Sequence, residues 1–339
     1  MVRREGFGLP AYLAFAAATV FTLLVCVSLG SVKLPLRETF GLLWNRGTGT
    51  GMSATIVFSV RLPRVLCVAL TGASLSVCGA AMQGLLKNPL ADGSTLGVSS
   101  GASLGAVISI AFGITLPGIP LAGTMSMAML FAFLSLVVIL GLAYRLDGSL
   151  STGTIILIGV IYSMFVSSVL SLVITFAPDK VQSITFWTMG SLAGRGYVHV
   201  LVLLGALVVF GGVLFGCARE LNAFAVGEDN ARHIGVNVRR VKLTVMIAVS
   251  ALIGVCVSVG GTIGFVGLVT PHMVRLITGP NHRRLLPASA FGGAIFLMLC
   301  DLLARTLFDP RELPVGVVTS FIGSILFVVI FIRTRRGEK

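Results

Sequence analysis

Residues 93–144 read GSTLGVSSGASLGAVISIAFGITLPGIPLAGTMSMAMLFAFLSLVVILGLAY, without one Asp, Glu, Lys or Arg. A helix that crosses the ~30 Å hydrocarbon core of a bilayer needs roughly 20 apolar residues, because each residue adds ~1.5 Å. The stretch is therefore too long for one crossing, and the LPGIP sequence at Leu116–Pro120 predicts a turn within it. We predict two membrane-spanning helices here, at 94–113 and 121–144.

Similar charge-free windows recur along the rest of the chain, at 6–32, 65–86, 148–178, 196–218, 243–274, 285–300 and 313–332. The window 243–274 is too long for one crossing and too short for two, and GGTIG at Gly260–Gly264 divides it into a full helix and a short one. We predict an all-α polytopic membrane protein with about ten transmembrane helices. They are placed at 11–31, 65–86, 94–113, 121–144, 152–176, 198–218, 241–261, 265–278, 286–306 and 315–333.

The composition agrees with a membrane protein. Of the 339 residues, 56% are hydrophobic and 11% are charged, whereas soluble domains carry about a quarter charged residues. We interpret residues 1–339 as one transmembrane domain, whose longest polar segments are 32–64 and 219–242. Five helices in each half would give the halves opposite topology, so an inverted five-helix repeat is a hypothesis.

The basic residues predict the orientation, because cytoplasmic loops collect Lys and Arg. With the N-terminus inside, 16 of the 25 Lys and Arg residues fall on the inner side. Both termini and the segment 219–242 are then cytoplasmic, and 32–64 is outside. The net charge of +13 is scattered over short loops, which argues against nucleic-acid binding. The first apolar stretch exceeds a signal-peptide core, so we predict an uncleaved first helix in the cell (plasma or inner) membrane.

The predicted helices contain few groups that could couple transport to an ion gradient. The one acidic residue is Asp301, one turn before Arg305, which predicts an i,i+4 ion pair. Proton- or sodium-coupled carriers usually place ionisable groups near the membrane centre, so a stand-alone secondary transporter is the less favoured class. The chain also lacks G-x-x-x-x-G-K-[ST], so ATP and Mg²⁺ would have to bind a separate ATPase chain.

The six Cys and four His residues lack the spacing of a metal or catalytic site. We therefore predict no catalytic residue, no metal site and no cofactor on this chain, and we do not classify it as an enzyme by itself.

Six motifs occur in order along the chain: RLPR at Arg61–Arg64, GAAMQGLLKNPLADGSTLGVSSGASLGA at Gly79–Ala106, FWTMGSLAG at Phe186–Gly194, AVGEDNARHIGV at Ala225–Val236, GTIGFVGLVTPHMVRLITGPNHRRLLP at Gly261–Pro287 and ELPVGVVTSFIG at Glu312–Gly323. Together they resemble the permease subunits of the ABC importers for iron-siderophores, haem and cobalamin, the FecCD type of type II importer. One departure is Gly93, where the family often has Pro after the acidic residue.

This resemblance implies the fold, the partners and the cargo. It implies ten helices per subunit, a homodimer or pseudo-dimer of permease subunits with the homodimer favoured, two ATPase subunits, and a soluble or lipid-anchored substrate-binding protein. The cargo is a metal chelate, with ferric siderophore first and cobalamin or haem as alternatives. We expect an apolar cavity at the dimer axis, lined by the fifth helix and its neighbours, with specificity left to the binding protein.

The resemblance also implies docking residues at the outer end. In the family, arginines at matching positions receive acidic residues of the binding protein, and charge pairs of this kind steer docking. The matching residues here are Arg61, Arg64 and Arg305, with Arg311 as a neighbour. The alternative is that these arginines only extend from helix ends towards the membrane interface.

By the same resemblance, AVGEDNARHIGV contains the short helices that contact the ATPase. Glu228 and Asp229 suit the positive end of a helix dipole, and Gly235 can end the first short helix. The predicted coupling residues are Gly227, Glu228, Asp229, Ala231, Arg232 and Gly235.

The loop between the fourth and fifth helices reads GSLSTGT at Gly148–Thr154. In similar proteins it narrows the inner end of the pathway, which makes Ser151, Thr152 and Gly153 the candidate cytoplasmic gate. Without the resemblance, the loop is an ordinary helix start with Ser151 or Thr152 as N-cap.

Overall fold

The structure is a computed structural model that describes residues 8–30, 41–42, 51–115, 122–148 and 150–337. Regular structure within these ranges is helical. The predicted turn at Leu116–Pro120 and most of the predicted outer segment, 32–40 and 43–50, lie outside the described residues.

The described chain folds into thirteen helices, some of which contain short π-helical segments. They are α1 (Leu9–Ser28), α2 (Met52–Leu85), α3 (Val98–Phe112), α4 (Ala122–Leu146), α5 (Thr152–Thr175), α6 (Val181–Thr188), α7 (Tyr197–Gly216), α8 (Ala218–Val226), α9 (Glu228–His233), α10 (Val238–Gly260), α11 (Val266–Thr278), α12 (His282–Thr306) and α13 (Val315–Gly337).

A helix lies at each of the ten predicted transmembrane positions, which confirms the predicted fold class. Within the described residues, seven helices are long and apolar enough to cross a membrane: α1, α2, α4, α5, α7, α10 and α12. Two shorter apolar helices, Val98–Phe112 and Val315–Ile330, and the 13-residue α11 occupy the other three positions. The short α11 follows the predicted break at Gly260–Gly264. The inverted repeat stays a hypothesis.

The start of the second helix differs from the prediction. We expected it at residue 65, with Arg61–Arg64 just outside the helix, and this was wrong. The helix begins at Met52 and passes through a π-helical segment, Ile56–Arg61, before continuing to Leu85. The charges of Arg61 and Arg64 do not end the helix because groups of the same chain bind both guanidinium groups.

Three helices form the interior of the bundle. About 78% of the apolar window of α2 and of α10 is buried, and 61% of that of α12, compared with 22–28% for α1, α4, α5 and α7. Paired glycines bring α2 close to α11 and to α12. A Cβ atom at Gly79 would lie 1.7 Å from the Gly267 carbonyl oxygen, and one at Gly72 would lie 2.2 Å from that of Gly293. Small residues at helix contacts allow such approach.

The ion pairs of this apolar bundle lie at its two ends. We call one the Arg305 end, where α1 and α12 finish and α2 begins. We call the other the Lys242 end, where α2 finishes, α5 and α10 begin, and the helices α8 and α9 lie.

Candidate transport and coupling sites

A buried charge cluster lies at the Arg305 end, centred on Asp301. Arg64 donates from Nη2 to Asp301 Oδ1 at 3.0 Å, and Arg305 Nε lies 3.2 Å from Asp301 Oδ2. The pair of Asp301 with Arg305 is the predicted i,i+4 ion pair. Arg64 also donates from Nη1 to Glu312 Oε2 at 2.8 Å. One carboxylate therefore joins α2 to α12, and Glu312 joins α2 to the segment just before α13.

One of these arginines, Arg305, and a further one, Arg61, also hold the end of α1. Arg305 donates to the Cys26 carbonyl at 2.6 Å, and Arg61 donates to the Ser28 carbonyl at 2.8 Å. The last carbonyl groups of a helix have no intrahelical partner, so these guanidinium groups satisfy buried acceptors at the end of α1.

The structure buries three of the four predicted docking arginines. Arg61, Arg64 and Arg305 are 5%, 8% and 3% exposed, whereas Arg311 is exposed. All three bind groups of their own chain. Docking by these residues stays a prediction, and Arg311 is the accessible one.

The coupling residues form a short, well-terminated helix at the Lys242 end. Gly227 precedes α9 with φ +142°, and Ala231 is fully buried. Gly235 follows α9 with φ +87°; its N–H donates to the Arg232 carbonyl, and that of Val236 donates to the Ala231 carbonyl. This is the Schellman arrangement that ends helices at glycine. It confirms that Gly235 ends the helix that Glu228 begins.

The charged side chains of α9 face two directions. Asp229 and Arg232 form an exposed ion pair at 3.6 Å, with side chains 87% and 53% exposed. Glu228 is only 28% exposed, and its Oε1 lies 2.7 Å from Lys242 Nζ in α10. The Asp229–Arg232 pair of α9 is therefore exposed, whereas the Glu228 carboxylate points towards α10.

The gate loop, residues 148–154, is held by hydrogen bonds at the start of α5; Ser149 lies outside the described residues. The Ser151 hydroxyl accepts from the Thr154 N–H at 3.4 Å, which confirms Ser151 as N-cap. Asp147 accepts from the Ser151 N–H at 3.0 Å and from the Thr154 hydroxyl at 3.3 Å. A Cβ atom at Gly153 would meet nothing within 4 Å.

Lys242 brings the gate loop and α9 together. Its side chain has no exposed surface, and Nζ donates to the Leu150 carbonyl at 2.8 Å while pairing with Glu228. Thr152 Oγ1 lies 3.5 Å from the same Glu228 oxygen. Two candidate sites that the sequence presents separately are thus adjacent in the structure.

A cavity of about 340 Å³ lies between α3, α5, α10 and the segment before α11. Six hydroxyl side chains line it together with Asp92: those of Ser99, Ser100, Ser103, Ser167, Thr188 and Thr262. The fifth helix contributes Ser167 and Leu170, and most of the lining surface is apolar, with the hydroxyl groups and Asp92 distributed over it. The expected apolar cavity at the dimer axis stays a prediction. We call it the hydroxyl cavity.

Comparison with known proteins assigns the chain to a family. The model of the FecCD transport family matches residues 18–333. The chain belongs to the FecCD transport family. It is 42% identical to an uncharacterized ABC transporter permease protein, YvrB of Bacillus subtilis, over 97% of this chain and 95% of that protein. It is 38% identical to the hemin transport system permease protein HmuU of Yersinia pestis, over 92% and 94%.

A solved structure described as an inward-facing conformation of a metal-chelate type ABC transporter matches over 96% of this chain and 99% of that chain. The TM-score is 0.84 and the identity 29%. This FecCD protein is therefore a multi-pass membrane permease, a transport component of the ABC class.

Sequence reasoning missed several residues of this FecCD permease. Lys242 counted only towards topology, although a lysine inside a predicted helix is itself a signal of a buried partner. Arg64 was predicted only as a docking residue, because nothing in the sequence pairs it with Asp301. The serines at 99, 100 and 103 stand in a quoted motif, and their spacing along one helix could have indicated hydroxyl groups lining a cavity.

Proposed function

We propose that this chain is the membrane-spanning subunit of an ATP-driven importer for a metal chelate, with ferric siderophore as the first candidate. It works with a second, identical copy, two ATPase subunits and a soluble or lipid-anchored binding protein. The observation that carries this proposal is the match of 96% of the chain to a metal-chelate type ABC transporter. Cobalamin and haem are the alternative cargoes. The 38% identity to a hemin permease supports haem as one of them.

The proposal places the Lys242 end in the cytoplasm of the cell (inner) membrane, with both termini on that side. The support is the positive-inside bias of the basic residues. The exposed Asp229–Arg232 pair on α9 then faces the ATPase, which hydrolyses ATP with its own Mg²⁺. The residues from Gly227 to Gly235 form the contact that receives its movement.

The Arg305 end then faces the binding protein. Arg311 is exposed there, and Glu312, with 39% of its side chain exposed, covers Arg64. An acidic residue of the binding protein would pair with Arg311 first, and could replace Glu312 on Arg64. The buried Arg61 and Arg305 support this surface by holding α1 and α12 together.

The hydroxyl cavity is proposed as part of the pathway. Ligand pockets commonly occupy about 300–1,000 Å³, so about 340 Å³ in one subunit accommodates part of a chelate and a second copy completes the wall. Hydroxyl groups both donate and accept hydrogen bonds, which suits the oxygen-rich surface of a siderophore. Weak, neutral contacts of this kind let cargo pass without tight binding.

The test is uptake into proteoliposomes that contain the permease, its cognate ATPase and the binding protein. Iron-55 siderophore, cobalt-57 cobalamin and haem are offered in parallel, with and without ATP. We expect ATP-dependent accumulation of one chelate and no accumulation when the ATPase is omitted. Accumulation that persists without the ATPase would show a stand-alone secondary transporter and refute the proposal.

A further inference from the structure

Lys242 is a lysine without exposed surface in a membrane protein. Its ammonium group lies 2.7 Å from Glu228 Oε1 and donates to the Leu150 carbonyl at 2.8 Å. A buried charge is tolerated only when it is paired and hydrogen-bonded, because the desolvation cost is otherwise several kcal/mol. Lys242 therefore cannot release both partners without that cost.

The three segments that meet at Lys242 have different freedom to move. Glu228 begins α9, which is six residues long and follows Gly227, a hinge-compatible glycine with φ +142°. Lys242 lies near the start of α10, an interior helix. Leu150 belongs to the gate loop and has φ +53°, a left-handed conformation that non-glycine residues rarely adopt. The hydrogen bond from Lys242 to the Leu150 carbonyl helps to hold Leu150 in that conformation.

We propose that the Glu228–Lys242 ion pair transmits movement from the ATPase contact to the gate loop, with Lys242 as a positioning residue. This rests on the proposed function. When the ATPase displaces α9, Glu228 either pulls Lys242 with it or leaves it. If Lys242 follows, its contact with the Leu150 carbonyl changes. If it stays, Glu228 moves away from both Lys242 and Thr152, and the gate loop loses that contact with α9. Packed interiors respond to such shifts by switching between arrangements rather than deforming gradually.

The alternative is a purely structural pair that only stabilises the fold. A structural role predicts that variants lower ATP hydrolysis and uptake together, in proportion to the amount of assembled complex. A transmitting role predicts that hydrolysis continues while uptake falls. The informative quantity is therefore the number of chelate molecules imported per ATP hydrolysed.

The experiment measures this ratio in proteoliposomes for assembled complexes with Lys242→Met, Glu228→Ala or Glu228→Gln. Coupling between sites typically changes equilibria by 5–150-fold, so we expect Lys242→Met to lower the ratio at least about fivefold. Because Lys242 has no exposed surface, this loss cannot come from a missing ATPase contact. Glutamine keeps an acceptor for Lys242, so Glu228→Gln should retain more of the ratio than Glu228→Ala.

The control is Arg240→Met, which removes one positive charge from an exposed position on the same helix and should leave the ratio unchanged. If the Lys242→Met complex does not assemble, the proposal is tested by whether Glu228→Gln imports more chelate per ATP hydrolysed than Glu228→Ala. A wild-type ratio in Lys242→Met or in Glu228→Ala overturns it while the proposed function stands. A wild-type complex that imports nothing with ATP overturns both.

Discussion

Replacement of Asp301 by alanine should remove the shared carboxylate between two buried guanidinium groups. In the structure Asp301 is 1% exposed, Arg64 Nη2 lies 3.0 Å from one of its oxygens and Arg305 Nε lies 3.2 Å from the other. Both arginines keep one partner: Glu312 at 2.8 Å from Arg64 and the Cys26 carbonyl at 2.6 Å from Arg305.

The magnitude follows from this burial. Removing one member of a buried ion pair costs about 3–5 kcal/mol, because the remaining charge is left uncompensated. Since each arginine retains a contact, we expect the lower end, about 3 kcal/mol in the free energy of unfolding. The exposed Asp229–Arg232 pair, at 3.6 Å, provides the comparison. Exposed pairs contribute about 0–1 kcal/mol, so Asp229→Ala should have little effect.

The assay is reversible unfolding of the purified full-length permease in mixed micelles, followed by circular dichroism as the denaturing detergent fraction rises. Asp301→Ala, Asp301→Asn and Asp229→Ala are compared with the wild type under one ionic strength. Asparagine keeps the volume of the side chain, so it separates the loss of charge from the formation of a cavity.

Two results would refute the reasoning. The first is an equal, small effect of Asp301→Ala and Asp229→Ala, which would mean that water reaches the cluster and screens it. The second is a failure to recover stability when the whole charge cluster is replaced by apolar residues. Replacing a buried ionic network by apolar residues of similar volume is often neutral, so Asp301→Leu combined with Arg64→Met and Arg305→Met should recover stability. A triple variant less stable than Asp301→Ala would contradict that expectation.

Two further predictions concern local packing and capping. Gly79→Ala should destabilise the protein by at least about 1–3 kcal/mol in the same unfolding assay, because its Cβ would lie 1.7 Å from the Gly267 carbonyl oxygen. Gly212→Ala, where a Cβ meets nothing within 4 Å, should be neutral or stabilising, and equal losses at both positions would contradict the model of close helix contact. Ser151→Ala should cost about 1 kcal/mol, because the Thr154 N–H loses its acceptor at the start of α5, whereas Ser151→Asp should keep most of the stability.

Local sequence features predicted most of the helical framework. The length of each apolar window placed ten helices, because a crossing depends only on contiguous residues and the thickness of the bilayer. The i,i+4 pair of Asp301 with Arg305, the N-cap at Ser151 and the glycine that ends α9 were predictable for the same reason. Each involves residues within one or two helical turns, whose spacing the backbone geometry fixes.

The start of α2 could not be predicted in this way. A charge in an apolar window ordinarily marks a helix end, and Arg61 and Arg64 were interpreted so. Whether a charge ends a helix depends on its partners, and these are the Ser28 carbonyl and Asp301 on other helices. The burial of Arg61, Arg64 and Arg305 could not be predicted for this same reason.

The sequence by itself determined that the chain is an all-helical membrane protein, where its helices lie and which motifs it shares with ABC permeases. Only the tertiary structure decided which groups meet. The Lys242 ammonium and the Leu150 carbonyl are 92 residues apart in the chain, and Arg64 and Asp301 are 237 apart. Such pairs form because helix packing brings distant segments together and a buried charge requires a partner. The length of an apolar window along one helix carries no information about which neighbouring helix supplies the partner of a buried charge.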